Sequence, residues 1–270
     1  MSHQAASFVG SIPDYYDKCL GPVLFVDFGS DIARRAAASN PARVFETAAG
    51  TGIVTRLLRD VLSPSAHLTA TDLNAPMLEV ARKKFRPGEQ IDLRPADATD
   101  LPFPDGIFGV VVCQFGVMFF PDKDKAYRSV RRVLAPRGHY LFSVWDSHRH
   151  NPFGRLAHET VGSFFPGDPP QFYQVPFGYY EIDPIKESLI NAGFSDIKIA
   201  VLNIEKDVPD AGAFARGIVY GNPLIDQIRA RGGVDPEHVV DALMHALRRE
   251  FGDNPSRISL QTITFDASSR

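Results

Sequence analysis

Glu46, Asp72 and Asp97, with the glycines Gly50 and Gly52, have the types and spacing of a ligand site. The run Val44-Phe-Glu46-Thr-Ala48-Ala-Gly50-Thr51-Gly52 reads as a buried strand that ends in a glycine turn. Such a turn lets backbone approach a ligand closely and leaves free N–H groups at the start of the next helix. Twenty residues past Gly52, Thr69-Ala-Thr-Asp72 reads as a second strand ending in a carboxylate. An ionised Asp72 can accept hydrogen bonds from both hydroxyls of a ribose, each bond worth about 1.5–3 kcal/mol. Asp97 ends a third strand in Arg94-Pro-Ala-Asp97-Ala98. It can accept from an adenine amino group while the N–H of Ala98 serves a ring nitrogen, and Leu73 can cover one adenine face. Together these residues can hold the nucleoside half of a cofactor.

Glu46 and a missing glycine decide which cofactor is expected. A dinucleotide turn carries Gly-x-Gly-x-x-Gly around a pyrophosphate. Here Ala48 precedes Gly50 and Gly52, and position 55 is threonine. A carboxylate at the strand end opposes a pyrophosphate and suits an ammonium. S-adenosylmethionine carries an amino group, a sulfonium and one carboxylate. The site is therefore expected to take S-adenosylmethionine, and the reaction to be methyl transfer. Two alternatives stand beside this reading. One is an NAD-dependent oxidoreductase, which needs the turn this chain lacks. The other is a non-catalytic module that binds the cofactor without using it.

The elements that must position these residues follow from periodicity. Apolar strands are expected at 43–48, 67–73, 91–96, 108–115 and 139–145. The nearly unbroken run Phe108-Gly-Val-Val-Val-Cys-Gln-Phe115 is typical of a strand covered on both faces. Ile53, Leu57, Leu58 and Val61 fall on one helical face. Helices are expected at 76–85, with Asn74 as N-cap, and at 123–134, stopped by Pro136 and Gly138. Repeated strand–helix units imply a parallel sheet with right-handed crossovers. After Trp145 the pattern breaks. Residues 146–178 are rich in Pro, Gly, His and aromatics and read as an insertion over the carboxyl edge of the sheet. A helix at 183–192, a strand at 196–205, helices at 211–230 and 236–251, and an alternating strand at 257–265 complete the chain. The last two strands should form an antiparallel hairpin at the sheet edge. The expected fold class is α/β: a doubly wound, Rossmann-like, seven-stranded, mostly parallel sheet with an antiparallel final strand and a helical, aromatic cap insertion. The whole, 1–270, reads as one domain. It divides into an N-terminal helical lid at 1–40, a cofactor-binding core at 41–145 and cap insertions at 146–180 and 206–255.

Of the 270 residues, 44% are hydrophobic and 23% charged, and net charge is -3. That balance invites neither nucleic acid nor an anionic membrane surface. The two cysteines, Cys19 and Cys113, have no metal or disulfide spacing, so no metal is expected and a cytoplasmic location fits. The first residues show no basic stretch followed by an apolar core, and no apolar run is long enough to span a bilayer. Neither a membrane nor a nucleic-acid partner is expected, and the chain should be a monomer or homodimer.

Taken together, five runs carry a resemblance: 44–52, 71–78, Ala96-Asp-Ala-Thr-Asp-Leu-Pro-Phe103, Gln114-Phe-Gly-Val-Met-Phe-Phe-Pro-Asp122 and Arg132-Val-Leu-Ala-Pro-Arg-Gly138. In order and spacing the chain resembles class I S-adenosylmethionine-dependent methyltransferases, of the branch that contains the ubiquinone/menaquinone methyltransferase-like enzymes. The resemblance spans about 15–200. It implies S-adenosylmethionine as cofactor and a cofactor set of Tyr16, Glu46, Ala48, Gly50, Thr51, Gly52, Asp72, Leu73, Met77, Asp97, Ala98, Gln114 and Phe115. Gln114 would lie near the methionine moiety, and Tyr15 and Tyr16 would belong to a helix that closes over the cofactor. Two departures stand out. Ala48 replaces the first turn glycine. Phe115-Gly116 leads to Val117-Met118 where quinone C-methylating members carry Arg-Asn, which argues against quinone methylation. A small-molecule acceptor, attacked at O, N or C, is expected among Met118, Phe119, Trp145 and Tyr179. His148 and His150, with His158 nearby, are the candidate general bases if the acceptor carries a proton.

Overall fold

Val44 and Phe45 point to opposite faces of their strand, as neighbours in any strand must, and both are buried. A computed structural model, describing residues 6–253 and 255–269, shows what covers each face. The expectation that the chain opens without a leader falls partly on residues 1–5, which lie outside the described residues. The strands are β1 (Arg43–Thr47), β2 (His67–Asp72), β3 (Ile91–Pro95), β4 (Phe108–Gln114), β5 (Leu134–Trp145), β6 (Asp196–Val208) and β7 (Ser256–Ser268). They form one sheet in the order β3-β2-β1-β4-β5-β7-β6. β1 to β5 run parallel, and β7 lies antiparallel between β5 and β6. This is the doubly wound, Rossmann-like α/β sheet, with the antiparallel strand last in the chain but not outermost.

On one face Val44, Leu68, Val110, Val112 and Leu141 pack against Ile32 and Ala36 of α2 (Val26–Ala37) and Val54 and Leu58 of α3 (Ile53–Val61). On the other face Phe45, Val111, Tyr140 and Phe142 share a cluster with Tyr127 and Val130 of α5 (Lys123–Val133). Ile185 and Leu189 of α7 (Ile182–Asn191) belong to that cluster too. Each of the Val, Leu, Ile and Phe side chains removed from water contributes about 1.5–3 kcal/mol, which fixes strand register and therefore where the strand ends fall.

Several boundaries differ from the periodicity. α5 ends at Val133, and β5 starts at once, carrying Pro136 and Gly138 inside it. The strand tolerates them because its pairing slips: Phe108 faces Leu134, then Val110 faces His139, and Arg137 takes φ +60 in the excess loop. α4 is shorter than expected, at Ala75–Arg82. The expected helix at 211–230 is two helices, α8 (Ala211–Tyr220) and α9 (Leu224–Arg231), broken at Gly221-Asn222-Pro223. Pro223 cannot donate to the ladder, which explains the break. The N-terminal helix runs from α1 (Ile12–Tyr15) through a π-helical stretch, Tyr16–Phe25, into α2. Pro22 lies within the wide stretch, where its missing N–H disturbs the ordinary helical ladder. The remaining α-helices among the described residues are α6 (Pro152–Ser163) and α10 (Pro236–Phe251).

Candidate active site

The order of the sheet reverses between β1 and β4, and a crevice opens beyond the carboxyl ends of strands at such a point. Thr47, Asp72, Pro95 and Gln114 end β1 to β4 on this side. The crevice holds about 200 Å³ and is lined by Tyr16, Ala48, Gly50, Asp72, Leu73, Met77, Asp97, Ala98, Gln114, Phe115 and Phe119, among others.

Asp72 is buried, and each of its oxygens is already oriented. Oδ2 accepts from the backbone N–H of Gly50 at 2.8 Å and Oδ1 from that of Asn74 at 2.8 Å. Oδ2 keeps a further acceptor site for a ligand hydroxyl, while Oδ1 also meets the Asn74 side-chain amide, Nδ2 lying 3.4 Å away. Burial raises its pKa, while the N–H groups of Asn74 and Gly50 pull it back down. Gly50 takes φ +56, a conformation that an L side chain adopts only under strain. Asp97 receives the N–H of Thr99 at 2.8 Å, which fixes one oxygen and leaves the other. Leu73, 59% exposed, is an apolar side chain left open at the crevice.

Behind the crevice lies a niche of about 20 Å³ walled by Tyr16, Glu46, Thr51 and Gln114, among others. Glu46 Oε2, Gln114 Oε1 and Thr51 Oγ1 are buried there without hydrogen-bond partners. Gln114 is held from its other end, Nε2 donating to Phe25 O at 3.1 Å. Burial pushes the Glu46 pKa up to about 8; the Thr55 hydroxyl opposes this and the charge of Asp72 adds to it. Unsatisfied buried acceptors cost about 1–3 kcal/mol each, so the niche asks for a cationic donor. An ammonium group meets that need, and a pyrophosphate does not.

A third, apolar cavity of about 70 Å³ adjoins the crevice. Met118, Phe119 and Trp145, three of the expected substrate-pocket candidates, line it, and so do Phe172 and Tyr173. Phe115 takes φ +57 and stacks on Trp145 with centroids 4.2 Å apart. Periodicity missed Phe8, Leu20, Leu24, Phe25, Phe153, Phe177 and Asn222, which also line it. The only sequence signal for them was an excess of aromatics, which also describes plain core. Tyr179 lies elsewhere: its hydroxyl pairs with Tyr127 at 3.0 Å and Lys123 sits over its ring. His150 is exposed, and neither His148 nor His150 lines the crevice or the apolar cavity. His148 packs on Phe177, and its pKa is lowered by burial and by His158. His158 meets Gln174 at 3.0 Å. Gly52 also lines neither cavity. It takes φ +76 at the start of α3, where a Cβ would sit 2.7 Å from that of Ala81, so its visible task is helix packing. Among the described residues no cluster of three or more His, Cys, Asp or Glu could hold a metal ion.

The pattern of the Methyltransferase domain family matches residues 45–142, from β1 into β5. A demethylmenaquinone methyltransferase of Thermus thermophilus is 38% identical over 152 residues, 53% of this chain and 69% of that protein. The chain belongs to the class I S-adenosylmethionine-dependent methyltransferases. Within them it is of the ubiquinone/menaquinone methyltransferase type, and S-adenosylmethionine is the cofactor of this methyltransferase. A malonyl-[acyl-carrier protein] O-methyltransferase of Geobacter sulfurreducens is 25% identical over 231 residues, 85% of this chain and 84% of the other. Further curated relatives are matched over about two fifths of their own length. A solved structure of Haemonchus contortus phosphoethanolamine N-methyltransferase 2 with S-adenosyl-L-methionine shares the fold at TM-score 0.61 and 16% identity, covering 96% of this chain and 57% of that one.

Proposed function

We propose that this methyltransferase transfers a methyl group to a small-molecule acceptor held in the apolar cavity. The observation that carries the reading is adjacency. Phe8, Tyr16, Phe115 and Phe119 wall both the crevice and the apolar cavity, so a ligand in each would meet across these rings. In this reading Asp72 holds the ribose hydroxyls, and Asp97, Ala98, Leu73 and Met77 hold the adenine. Gly50 and Ala48 let the backbone close on the cofactor, while Glu46, Thr51 and Gln114 take the amino-acid end. Gly52 sets the turn from behind. Tyr16 and Phe115 flank the point of transfer.

The bound cofactor supplies a methyl group already activated by its sulfonium. The work left to the protein is alignment and exclusion of water, and alignment alone can lower a barrier by about 7–11 kcal/mol. Aromatic walls suit a reaction in which the sulfonium loses its charge as the methyl leaves it. Among the described residues no charged side chain lines the apolar cavity; its hydrogen-bonding side chains are Tyr16, Trp145, Tyr173 and Asn222. Burial holds the Tyr16 and Tyr173 phenols above their usual range, so they act as neutral hydrogen-bonding groups. The acceptor that suits such walls is uncharged where it binds; it takes up the positive charge with the methyl and is neutral again only once its own proton has left to water. With His148 and His150 outside the cavity, neither is assigned as base.

Further parts of the reading are a cytoplasmic monomer or homodimer that engages neither nucleic acid nor membrane. Among the described residues no helix is long and apolar enough to cross a membrane. Titration calorimetry with S-adenosylhomocysteine, followed by a labelled-methyl acceptor screen, tests the proposal. Asp72→Ala should weaken cofactor binding by roughly tenfold or more. An unchanged dissociation constant would remove the ribose assignment, and a screen that labels only macromolecules would remove the small-molecule one.

A further inference from the structure

Asn74 occupies the N-cap position of α4, where a short polar side chain ordinarily accepts a backbone N–H of the first turn. It makes no such bond. Its amide turns across the mouth of the crevice instead. Oδ1 accepts from the backbone N–H of Phe8 at 3.2 Å, and Nδ2 donates to the carbonyl of Ala6 at 3.0 Å. One side-chain amide thus satisfies a donor and an acceptor of the same N-terminal strap, as a neighbouring strand would. Asn74 is also tied to the carboxylate below it: its backbone N–H reaches Asp72 Oδ1 at 2.8 Å, and Nδ2 lies 3.4 Å from the same oxygen.

The strap has a defined place in the site. Ala6 and Phe8 line the crevice whose floor includes Asp72, and Phe8 also lines the apolar cavity. The Phe8 ring packs edge-on against Tyr16 and Phe119, with centroids at 5.9 and 5.8 Å. Two residues on, Gly10 takes φ +64 with open space around it. A few residues that absorb backbone rotation are what a hinge requires.

We infer that Asn74 is a positioning residue, a clasp that holds strap 6–8 over the cofactor crevice and keeps Phe8 in the wall between the two compartments. Cofactor exchange then requires the clasp to open, and Asp72 and the strap respond to each other through one side chain. The inference rests on the assignment of the crevice to the cofactor.

Stopped-flow release of S-adenosylhomocysteine from the full chain tests it, with wild type, Asn74→Ala, Phe8→Ala and the double variant. Asn74→Ala should release the product analogue roughly tenfold faster, from the loss of two hydrogen bonds. In the Phe8→Ala background the same change should add less than twofold, because the clasp has lost the wall it holds. Asn74→Ser keeps a good helix cap, adds no charge beside Asp72 and loses the two-ended amide bond to the strap. It should also release faster, at near wild-type thermal stability. Wild-type release from Asn74→Ser, or independent effects in the double variant, would overturn the clasp. Failure of the crevice assignment shows differently: Asp72→Ala would then bind the analogue as tightly as wild type.

Discussion

Glu46 carries the most testable chemistry of any single residue. Its carboxyl is pushed up to about 8, chiefly by burial, so it is largely protonated at neutral pH in the free protein. Against a bound ammonium it gains from ionising, and its pKa falls in the complex. The complex then binds fewer protons than the free protein at pH values below about 8. Cofactor affinity should therefore rise with pH up to about 8, by at most about tenfold per unit, and level off above. Calorimetry of S-adenosylhomocysteine between pH 6 and 8 checks this, and Glu46→Gln should flatten the slope as well as weaken binding. Glu46, Asp72 and Asp97 were legible because strand ends are legible: the apolar runs stop, and a carboxylate stands at each stop. Phe8 and Leu20 were not, because nothing local distinguishes an apolar side chain facing a cavity from one facing the core. Asn74 was half legible. Its place before α4 is a capping place, but its side chain is taken by the strap at Ala6 and Phe8, sixty-odd residues away in sequence.

Helices and strands were readable where one period dominated. The two-sided burial of β4 shows as Val110-Val-Val-Cys113, all buried. The wide helical stretch Tyr16–Phe25 did not show, since Pro22 in an apolar run also suits a simple kink or a break. Nor did the division between α8 and α9, where helical apolar spacing continues on both sides of Asn222. At this scale Gly52 has a purely mechanical test. A Cβ there would meet Ala81 Cβ at 2.7 Å and Cα at 3.1 Å, at φ +76. Gly52→Ala must force α3 and α4 apart and hold a left-handed backbone. The expected loss is about 2–4 kcal/mol, from overpacking together with the left-handed cost, read by urea denaturation of the cofactor-free protein. Tyr179 shows the reverse limit. An aromatic in the cap sequence packs beside Tyr127 on α5 and away from the cavity, because side-chain direction after an irregular turn is not periodic.

Across the whole molecule, the apolar cavity is assembled from three distant stretches: Phe8 to Phe25, Phe115 to Trp145, and Phe153 to Asn222. Trp145 is the chain's single tryptophan, and it forms one wall, stacked on Phe115. Its emission should change when a small neutral aromatic compound fills the cavity, and Trp145→Phe should abolish the signal. If a saturating acceptor leaves the emission unaltered, the acceptor binds elsewhere. The placement of β7 bears on a different matter, the order in which the molecule can be built. β7 comes last among the strands, yet it bonds to β5 on one side and β6 on the other. Until residues 256–268 leave the ribosome, β5 keeps an open edge and β6 has no partner at all. The nucleotide half of the sheet can mature early from near-neighbour units. The far half waits on a pairing between distant residues, the slow kind of contact during synthesis. Over that interval the incomplete chain depends on chaperones, or on speed, to keep the bare edge of β5 from the wrong strand.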